Sequence, residues 1–169
     1  FEVRQSLSFI TKALENFTVN GNATVTYSEI EMGVTEYNAR VRKAREGETI
    51  DKTRDMAGQA PYIINTGLSY KGLENSFEAG FYYNVQGKTL TYVGIAEKPD
   101  VYCVPFHSLN FNANKSFGRD KKFQVGMNVN NLLGAKRKLV FESFGAQDRI
   151  FSKLSPGTNI SFKLGYTFR

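Results

Sequence analysis

Cys103 and His107 are the residues whose chemistry and spacing first suggest a reactive site. They are the only cysteine and the only histidine of the 169-residue chain, and they lie four residues apart. A zinc site needs three or four such ligands, and a nucleophile needs a base in reach together with a group that orients the base. The sequence offers neither, and it has no glycine-rich loop of the kind that cradles phosphate. We therefore expect no enzymatic activity, no metal and no cofactor.

A second candidate is a group of basic residues in a polar, mixed-charge segment, residues 33–60. Closely spaced Arg and Lys side chains can bind carboxylate or phosphate oxygens, although such charges are often merely solvated on a loop. The whole chain carries a formal charge of +6, but its charges are scattered and do not follow one face, so we expect no nucleic-acid binding. The candidate ligand-contact residues are Arg40, Arg42, Lys43 and Arg45.

The last residues of the chain indicate which kind of element must position these groups. From Asn159 onward, apolar and polar side chains alternate strictly, which is the pattern of a β-strand with one apolar and one wet face. An exposed strand this aromatic would recruit other strands. A closed barrel in a bilayer avoids that outcome, because it pairs the strand's edges and turns its apolar face to lipid. The apolar side chains are Ile160, Phe162, Leu164, Tyr166 and Phe168.

Similar alternation predicts seven strands in all, joined by connections that are short and long in turn. Short connections are typical of the periplasmic turns of an outer-membrane barrel, and long ones of its external loops. We therefore predict an all-β fold, an antiparallel transmembrane β-barrel, with residues 1–169 forming part of one barrel domain. The predicted strands are 2–13, 17–31, 62–70, 76–93, 105–117, 123–141 with a bend, and 159–168; the predicted loops are about 33–60, where 39–46 could form a short helix, 94–104 and 143–153.

Three segments, in this order, resemble the C-terminal part of TonB-dependent outer-membrane receptors. Residues 58–70 are similar to the P-x-x-x-N-x-G-L-x-Y strand that follows a long external loop in these receptors. Residues 129–136 are similar to their V-x-N-L-F-N-x-x-Y segment, with Leu133 and Gly134 in place of Phe and Asn and no Tyr at the usual spacing. Residues 155–158 and the strand after them are similar to their final x-P-G-R-x-F strand, with Thr in place of Arg.

The resemblance implies a barrel of about 22 strands, of which these would be the last third, in the bacterial cell outer membrane. Such a receptor binds a scarce nutrient outside the cell, whether a small molecule, a glycan or a peptide, and imports it with energy from the TonB complex. TonB would act through a plug domain that we expect to lie outside this chain. Candidate contacts between the barrel lumen and the plug are Glu78 and Lys163.

The same resemblance implies several further partners. They are outer-membrane lipid, lipopolysaccharide whose phosphates could meet the basic group, a possible lipoprotein lid, and the barrel-assembly machinery. That machinery would read the alternating terminal strand, with residues Phe162, Leu164, Tyr166 and Phe168.

Two other interpretations of the pattern stay open. A small outer-membrane barrel with a structural or adhesive role could close on itself, although such barrels prefer an even number of strands and seven are predicted. A soluble, lipocalin-like ligand carrier would turn the same apolar side chains inward. Both the receptor barrel and the small barrel place a side chain such as Leu164 in lipid, whereas the soluble carrier places it in a protein interior.

Overall fold

A computed structural model describes residues 1–72, 76–95 and 98–168, which form mostly antiparallel β-sheet. None of the helices in this described part of the chain is long and apolar enough to cross a membrane. The elements are β1 (Glu2–Ser6), β2 (Phe17–Val25), β3 (Glu29–Glu31), α1 (Val34–Lys43), β4 (Thr53–Asp55), β5 (Tyr62–Gly72), β6 (Phe77–Gln86), β7 (Thr89–Tyr92), β8 (Asp100–Cys103), β9 (Phe106–Phe117), β10 (Phe123–Asn130), β11 (Arg137–Glu142), β12 (Arg149–Leu154) and β13 (Asn159–Tyr166).

Seven of the strands form one antiparallel sheet in the order β1-β2-β5-β6-β9-β10-β13. Because successive side chains of a strand point to opposite faces, the register decides whether the apolar residues of neighbouring strands meet. In this sheet they do, and the result is one continuous apolar face. One row across six strands consists of Val19, Leu68, Phe81, Phe111, Val129 and Ile160.

The apolar face of this larger sheet is largely exposed. Phe81, near its centre, is 47% exposed, and Phe162 and Leu164 on β13 are 74% and 72% exposed. Among the described residues, no helix and no second sheet makes extensive contact with these strands. The sheet therefore presents to its surroundings the side chains that a water-soluble domain would bury.

The opposite face of the larger sheet is polar and closely packed. Asn65 Nδ2 donates a hydrogen bond of 2.7 Å to Asn22 Oδ1, and Asn84 Nδ2 donates to Asn65 Oδ1, so that amides bridge three strands. Nearby, the ring of Tyr82 lies so close to Gly67 that a Cβ there would sit 2.8 Å from a ring carbon. A side chain at this glycine would displace the tyrosine from the sheet surface.

Strands β7, β8, β11 and β12 form a four-stranded sheet, which we call the extension. Each of them is joined along the chain to a strand of the larger sheet: β7 to β6, β8 to β9, β11 to β10 and β12 to β13. The order β12-β11-β8-β7 therefore repeats the order of those partners. Pro105, which has no N–H to donate, separates β8 from β9. The extension thus continues four strands of the larger sheet beyond a break.

Most of the buried apolar core lies in the extension and in the segment that covers it. Leu90 of β7 is 1% exposed, and among the buried apolar residues only Val85 and Val129 belong to the larger sheet. The others are Met32, Ala60, Leu90, Val101 and Val140. The extension is therefore the part of the described chain that packs like a water-soluble protein.

Residues 29–60, which include β3, α1 and β4, cover one face of the extension, and we call them the covering segment. The Gly58 N–H donates to the carbonyl oxygen of Leu90 over 2.8 Å, and the Tyr102 hydroxyl donates to Asp55 over 3.4 Å. These contacts tie the long connection between β2 and β5 to the edge and to one face of the four-stranded sheet.

Asn131 fixes the junction between the two sheets. It is 7% exposed and has a φ of 55°, a left-handed conformation that Asn tolerates better than most residues. Its Nδ2 donates to the carbonyl oxygens of Gly157 and Ala135 over 2.9 and 3.1 Å, and its Oδ1 accepts from the Ala135 N–H over 2.9 Å. Its N–H donates to Asn110 Oδ1, and its carbonyl accepts from Thr158 Oγ1, each over 3.0 Å. Through its side chain and its backbone, this one residue links the end of β10 to β9 and to the start of β13.

The antiparallel β-fold predicted from the sequence is confirmed, and the seven predicted strands correspond to the seven strands of the larger sheet. The prediction that Asn20-Gly21 lies inside a strand is also confirmed, because β2 pairs with β5 through both residues. The bend predicted in the sixth strand is the Asn131 junction. The turn predicted at 71–75 falls partly on residues 73–75, which lie outside the described residues.

The first predicted strand, 2–13, is wrong beyond Ser6. Residues Leu7–Phe9 and Lys12–Leu14 are short 3₁₀ helices. Ser6 Oγ accepts a hydrogen bond from the Ser8 N–H, and Thr11 caps the second helix in the same way. Such local bonds offer the backbone an alternative to strand pairing.

The long connections hold more regular structure than the sequence predicts. The strand predicted at 17–31 ends at Val25. The Thr26 N–H still donates to the Pro61 carbonyl oxygen over 3.0 Å, but Pro61 has no N–H to return the bond. The helix expected at 39–46 begins earlier, at Val34. The loops expected at 94–104 and 143–153 contain β8 and most of β12.

Asn131 offers a test of the junction. Replacing Asn131 by Ala removes three side-chain hydrogen bonds and puts at positive φ a residue that tolerates this conformation less well than Asn, so we expect a loss of about 2–4 kcal/mol in the free energy of unfolding. Asn131→Gly also loses the hydrogen bonds but tolerates the backbone conformation, and it should retain about 1 kcal/mol more than the alanine variant. Denaturant unfolding of the two variants measures this difference; equal stability of wild type and both variants would contradict the assignment.

Candidate functional site

A groove on the extension is the largest cavity described near its core. Its volume is about 750 Å³, and all four strands of the extension contribute to its floor. Connections 93–99 and 143–147 contribute described residues to its walls, and Arg45, which follows α1, reaches it from the covering segment. Volumes of ~300–1,000 Å³ are typical of small-molecule sites. The groove therefore has the size of a small-molecule site and is our candidate among the described residues.

Aromatic side chains form the floor of the groove. The ring of Phe151 lies 5.1 Å from that of Phe141 at an interplanar angle of 90°, and 5.7 Å from that of Tyr92. Phe151 stands where β12 bulges against β11, since the register between the two strands shifts after Leu139. Together with Val101, these rings give the groove an apolar surface on which a flat ligand could stack.

Three cationic side chains border this apolar floor, namely Arg45, Lys98 and Arg149. None of the described residues that line the groove is an aspartate or a glutamate. Arg45 Nη1 donates to the Phe144 carbonyl oxygen over 2.9 Å, which holds the guanidinium beside the 143–147 wall. The groove therefore combines an aromatic floor with a positively charged border.

The groove opens on the same side of the chain as the polar face of the larger sheet. The Arg137 guanidinium lies 5.8 Å from the ring centre of Phe106, and Phe106 shares its face of β9 with Ser108, two residues on. Arg137 and Phe141 are four residues apart in β11 and so share a face as well. Because Phe141 lines the groove, the groove and the polar face are continuous.

The four basic residues that we predicted to contact a ligand do not all lie at the groove. Arg45 alone lines the groove with the aromatic residues. Arg42 and Lys43 are exposed at the end of α1, and Lys43 lines a smaller neighbouring cavity of about 380 Å³ together with Arg40 and Arg45. Of the four residues, Arg45 lines the groove and the other three belong to α1. Whether they contact a ligand stays a prediction.

Arg40 serves to hold α1 against the extension. Its Nη1 and Nη2 donate to the two carboxylate oxygens of Asp100 over 2.9 and 2.8 Å, a bidentate pair. Nη2 also lies 3.4 Å from Glu36, which accepts a 2.7 Å hydrogen bond from Arg54. The hydrogen bond to Asp100 raises the pKa of the Arg40 guanidinium above its usual value. This arginine is occupied by protein carboxylates.

Tyr102, beside Asp100 on β8, marks the face of the extension that the covering segment hides. Burial raises the pKa of its phenol above the usual value, and the nearby charges of Asp55, Asp100 and Glu142 raise it further. The phenol therefore stays a neutral hydrogen-bond donor, in keeping with its contact to Asp55.

Glu78 and Lys163, the predicted lumen contacts, lie in one row across the polar face of the larger sheet. In the register, Glu78 is opposite Asn114, Asn114 is opposite Gly126, and Gly126 is opposite Lys163. Three strand spacings of ~4.8 Å place them about 14 Å apart, so they do not contact each other. Glu78 forms an exposed ion pair of 2.9 Å with Lys71. The prediction that they contact a plug stays a prediction.

The residues predicted to form an assembly signal lie on or beside the edge strand β13. Phe162, Leu164 and Tyr166 share the apolar face, and Phe168, beyond the end of β13, is 86% exposed with its ring 4.8 Å from that of Tyr166. Whether assembly machinery reads them stays a prediction.

Cys103 and His107 do not form a dyad in the structure. His107 Nδ1 shares a 2.5 Å hydrogen bond with the Tyr83 hydroxyl, which comes from the neighbouring strand. The Cys103 thiol is free of disulfides and donates weakly to the Val104 carbonyl oxygen over 3.6 Å. Within the described residues there is also no cluster of three His, Cys, Asp or Glu side chains that could hold a metal ion.

Comparisons of the chain with protein-family models, with curated proteins and with solved structures found no match. The features of the chain that bear on its function are therefore the two faces of the larger sheet and the groove.

The sequence did not identify the groove residues Tyr92, Phe141, Phe151 and Arg149. A weak signal was present, because Phe141 and Tyr92 are aromatic and fall near the ends of predicted strands. Which aromatic residues meet depends on the bulge at Phe151 and on the pairing of β8 with β11, and neither feature has a local sequence pattern.

The Arg40–Asp100 pair offers a test of how the covering segment is held. Asp100→Asn removes the bidentate acceptor of a half-buried arginine, and we expect it to destabilise the docking of α1 by about 1–3 kcal/mol. Hydrogen exchange of the amides of residues 34–43 should then be accelerated roughly tenfold or more, while amides of β6 and β9 keep their protection. Glu78→Gln, which breaks an exposed ion pair, is the matched control and should change exchange in α1 very little. Unchanged exchange in Asp100→Asn would contradict the role of the pair.

Proposed function

We propose that the larger sheet is part of a transmembrane β-barrel of the bacterial outer membrane, with its apolar face toward lipid. The observation that carries this proposal is the alignment of apolar side chains in cross-strand rows on one face, where residues such as Leu164 remain exposed. In a bilayer, lipid tails surround that face, and the polar Asn-rich face lines the lumen.

The size of the apolar face supports the same proposal. Seven strands spaced ~4.8 Å apart make the sheet about 29 Å wide. Strands β10 and β13 have eight residues each, which makes them about 27 Å long at ~3.4 Å per residue. The face therefore measures on the order of 800 Å², above the ~300–600 Å² of the largest apolar patch on a typical monomer. Strands β5, β6 and β9 have 11, 10 and 12 residues, which meets the ~9–11 residues of a tilted membrane strand.

The two outer strands indicate that the sheet needs further strands. Among the described residues, β1 pairs with β2 alone and β13 with β10 alone, so each has one edge without a partner strand. Lipid offers no hydrogen bonds to such edges, and only a closed barrel satisfies them. We therefore propose that additional strands complete the barrel, as they would in a barrel of about 22 strands.

We further propose that this barrel belongs to a receptor that takes up a nutrient with energy from the TonB complex. The three sequence segments that resemble TonB-dependent receptors support this assignment, and Asn131 of the second segment has a structural role that explains its presence. A groove of about 750 Å³ that is continuous with the lumen-side face suits an external site for a small molecule, a glycan or a peptide. The plug, a lipoprotein lid and the assembly machinery remain the implied partners.

Leu164→Arg tests the lipid-facing orientation. A charged side chain on the lipid face costs ~2–4 kcal/mol near the bilayer midplane, so we expect the variant to be depleted from the outer-membrane fraction and to lose the resistance to proteases of a folded barrel. The measurement compares membrane-inserted with total protein for the full native polypeptide.

Ser161→Arg is the matched control, because Ser161 lies on the same strand and on the opposite, polar face. We expect it to assemble normally. If Leu164→Arg assembles as well as Ser161→Arg, the lipid-facing orientation fails. If the wild-type chain is absent from membranes altogether, a soluble carrier replaces the membrane proposal.

The receptor assignment has its own test in the intact mass of the native polypeptide. A mass several times 19.0 kDa, with a plug domain in the same chain, supports the uptake receptor. A membrane-inserted polypeptide of about 19.0 kDa overturns it and favours a small structural or adhesive barrel.

A further inference from the structure

We infer that the groove of the extension binds an anion that carries a planar apolar ring system, such as an aromatic carboxylate. This inference deepens the proposed receptor function, since it names the ligand class of the external site, but binding in the groove does not itself require transport. It rests on the aromatic floor, the cationic border and the scarcity of neutral polar groups in the groove.

The floor favours a flat apolar body. Phe141 and Phe151 are perpendicular with their ring centres 5.1 Å apart, and Tyr92 flanks Phe151 at 5.7 Å. Phe151 is 47% exposed and Tyr92 is 54% exposed, so both keep open surface toward the groove. A planar ring gains offset or edge-to-face contacts on such a surface in addition to the burial of its apolar area.

The border of the groove favours a negative charge. Arg45, Lys98 and Arg149 line it, and none of the described lining residues is acidic. Within the described part of the chain, no hydrogen bond or ion pair engages the side chain of Arg149 or Lys98, and Arg45 commits one donor to the Phe144 carbonyl oxygen. Arginine presents five donors in a planar fork that matches a carboxylate or a phosphate. Cationic donors are thus available where an anionic group of a ligand would lie.

Few neutral polar groups are present to recognise hydroxyl-rich ligands. Apart from the cations, the described side chains that line the groove and can form hydrogen bonds are Tyr92, Ser143 and Gln147. A neutral glycan presents many hydroxyl groups, and each that is buried without a partner costs binding free energy. The groove therefore suits an aromatic anion better than a neutral sugar.

Arg40 and the cations that border the groove have different roles. Only the border cations are expected to bind the ligand. Arg40 is already bound to Asp100 through two hydrogen bonds and so is not available to an anion. Arg149 lies on β12 beside the aromatic floor, and removing its charge should weaken ligand binding without releasing α1.

The test uses 2-naphthoate as the probe and the neutral 2-naphthol as its uncharged analogue. The full native polypeptide is titrated with each in an isothermal calorimeter, with matched detergent blanks. We expect 2-naphthoate to bind at least tenfold more tightly than 2-naphthol. Arg149→Gln should lower the affinity for 2-naphthoate about tenfold or more, as expected for loss of a charge-assisted hydrogen bond, and should leave 2-naphthol binding nearly unchanged.

Lys153→Gln is the matched control, because it removes a cation from the same strand at a position that does not line the groove. It should bind 2-naphthoate like the wild type, and Phe151→Leu should weaken both probes. Circular dichroism of each variant checks that the fold is retained. No binding of 2-naphthoate to the wild type, equal affinity for the two probes, or equal effects of Arg149→Gln and Lys153→Gln would overturn the inference.

These outcomes can be told apart from failure of the membrane proposal. If Leu164→Arg assembles normally but the groove binds 2-naphthoate as expected, the site stands and the lipid-facing orientation falls. If the barrel assembles as expected and the groove discriminates no charge, the ligand class falls and the membrane proposal stands.

Discussion

The register of the seven-stranded sheet is the constraint on which the rest of the structure depends. A slip of one residue between any two strands would move the side chains of one strand to the opposite face. The observed register instead carries one apolar row from Val19 to Ile160 and sets an amide ladder through Asn65 on the other face. Two chemically different faces on one sheet call for two different surroundings. In the barrel that we propose, a membrane on one side and an aqueous lumen on the other would provide them.

The extension keeps the strand order of the larger sheet but not its alternation of apolar and polar side chains. Its strands keep the neighbours that their partners have in the larger sheet, but breaks at residues 87–88, 104–105 and 131–136 release it from the alternation that the larger sheet requires. The extension can therefore bury Leu90 and Val140 under the covering segment and present Phe141 and Phe151 on its other side. In this way one chain of antiparallel strands forms both a two-faced sheet and a smaller, packed sheet with a groove.

The larger sheet could be predicted because the sequence pattern that specifies each of its strands lies within that strand and its turns. A period of two along residues such as 159–166 specifies both the strand and its apolar face, and short polar turns specify the antiparallel order. The extension was predicted only in part. Residues 149–154 place Ile150 and Phe151 side by side, and the bulge there hides the alternation of β12.

The candidate site depended on information that the sequence does not show locally. The basic group at 40–45 was found by its spacing, but the pairing of Arg40 with Asp100 joins residues 60 positions apart. The aromatic floor likewise combines side chains from strands that meet only after folding. The motif around Asn131 was noticed as a resemblance, and its role as the hydrogen-bonding centre of the junction became evident from the positive φ and the bonds to Ala135 and Gly157.

Spin labelling of β13 can show whether lipid contacts one face of the larger sheet, as we propose. Single nitroxides are placed in turn at residues 160–165 in a Cys103→Ser background, in the full native polypeptide in bilayers, and collision with oxygen and with a water-soluble nickel chelate is measured. We expect a period of two, with oxygen favoured at 160, 162 and 164 and the nickel chelate favoured at 161, 163 and 165. Loss of the alternation, or equal access of the nickel chelate to 160, 162 and 164, would contradict it.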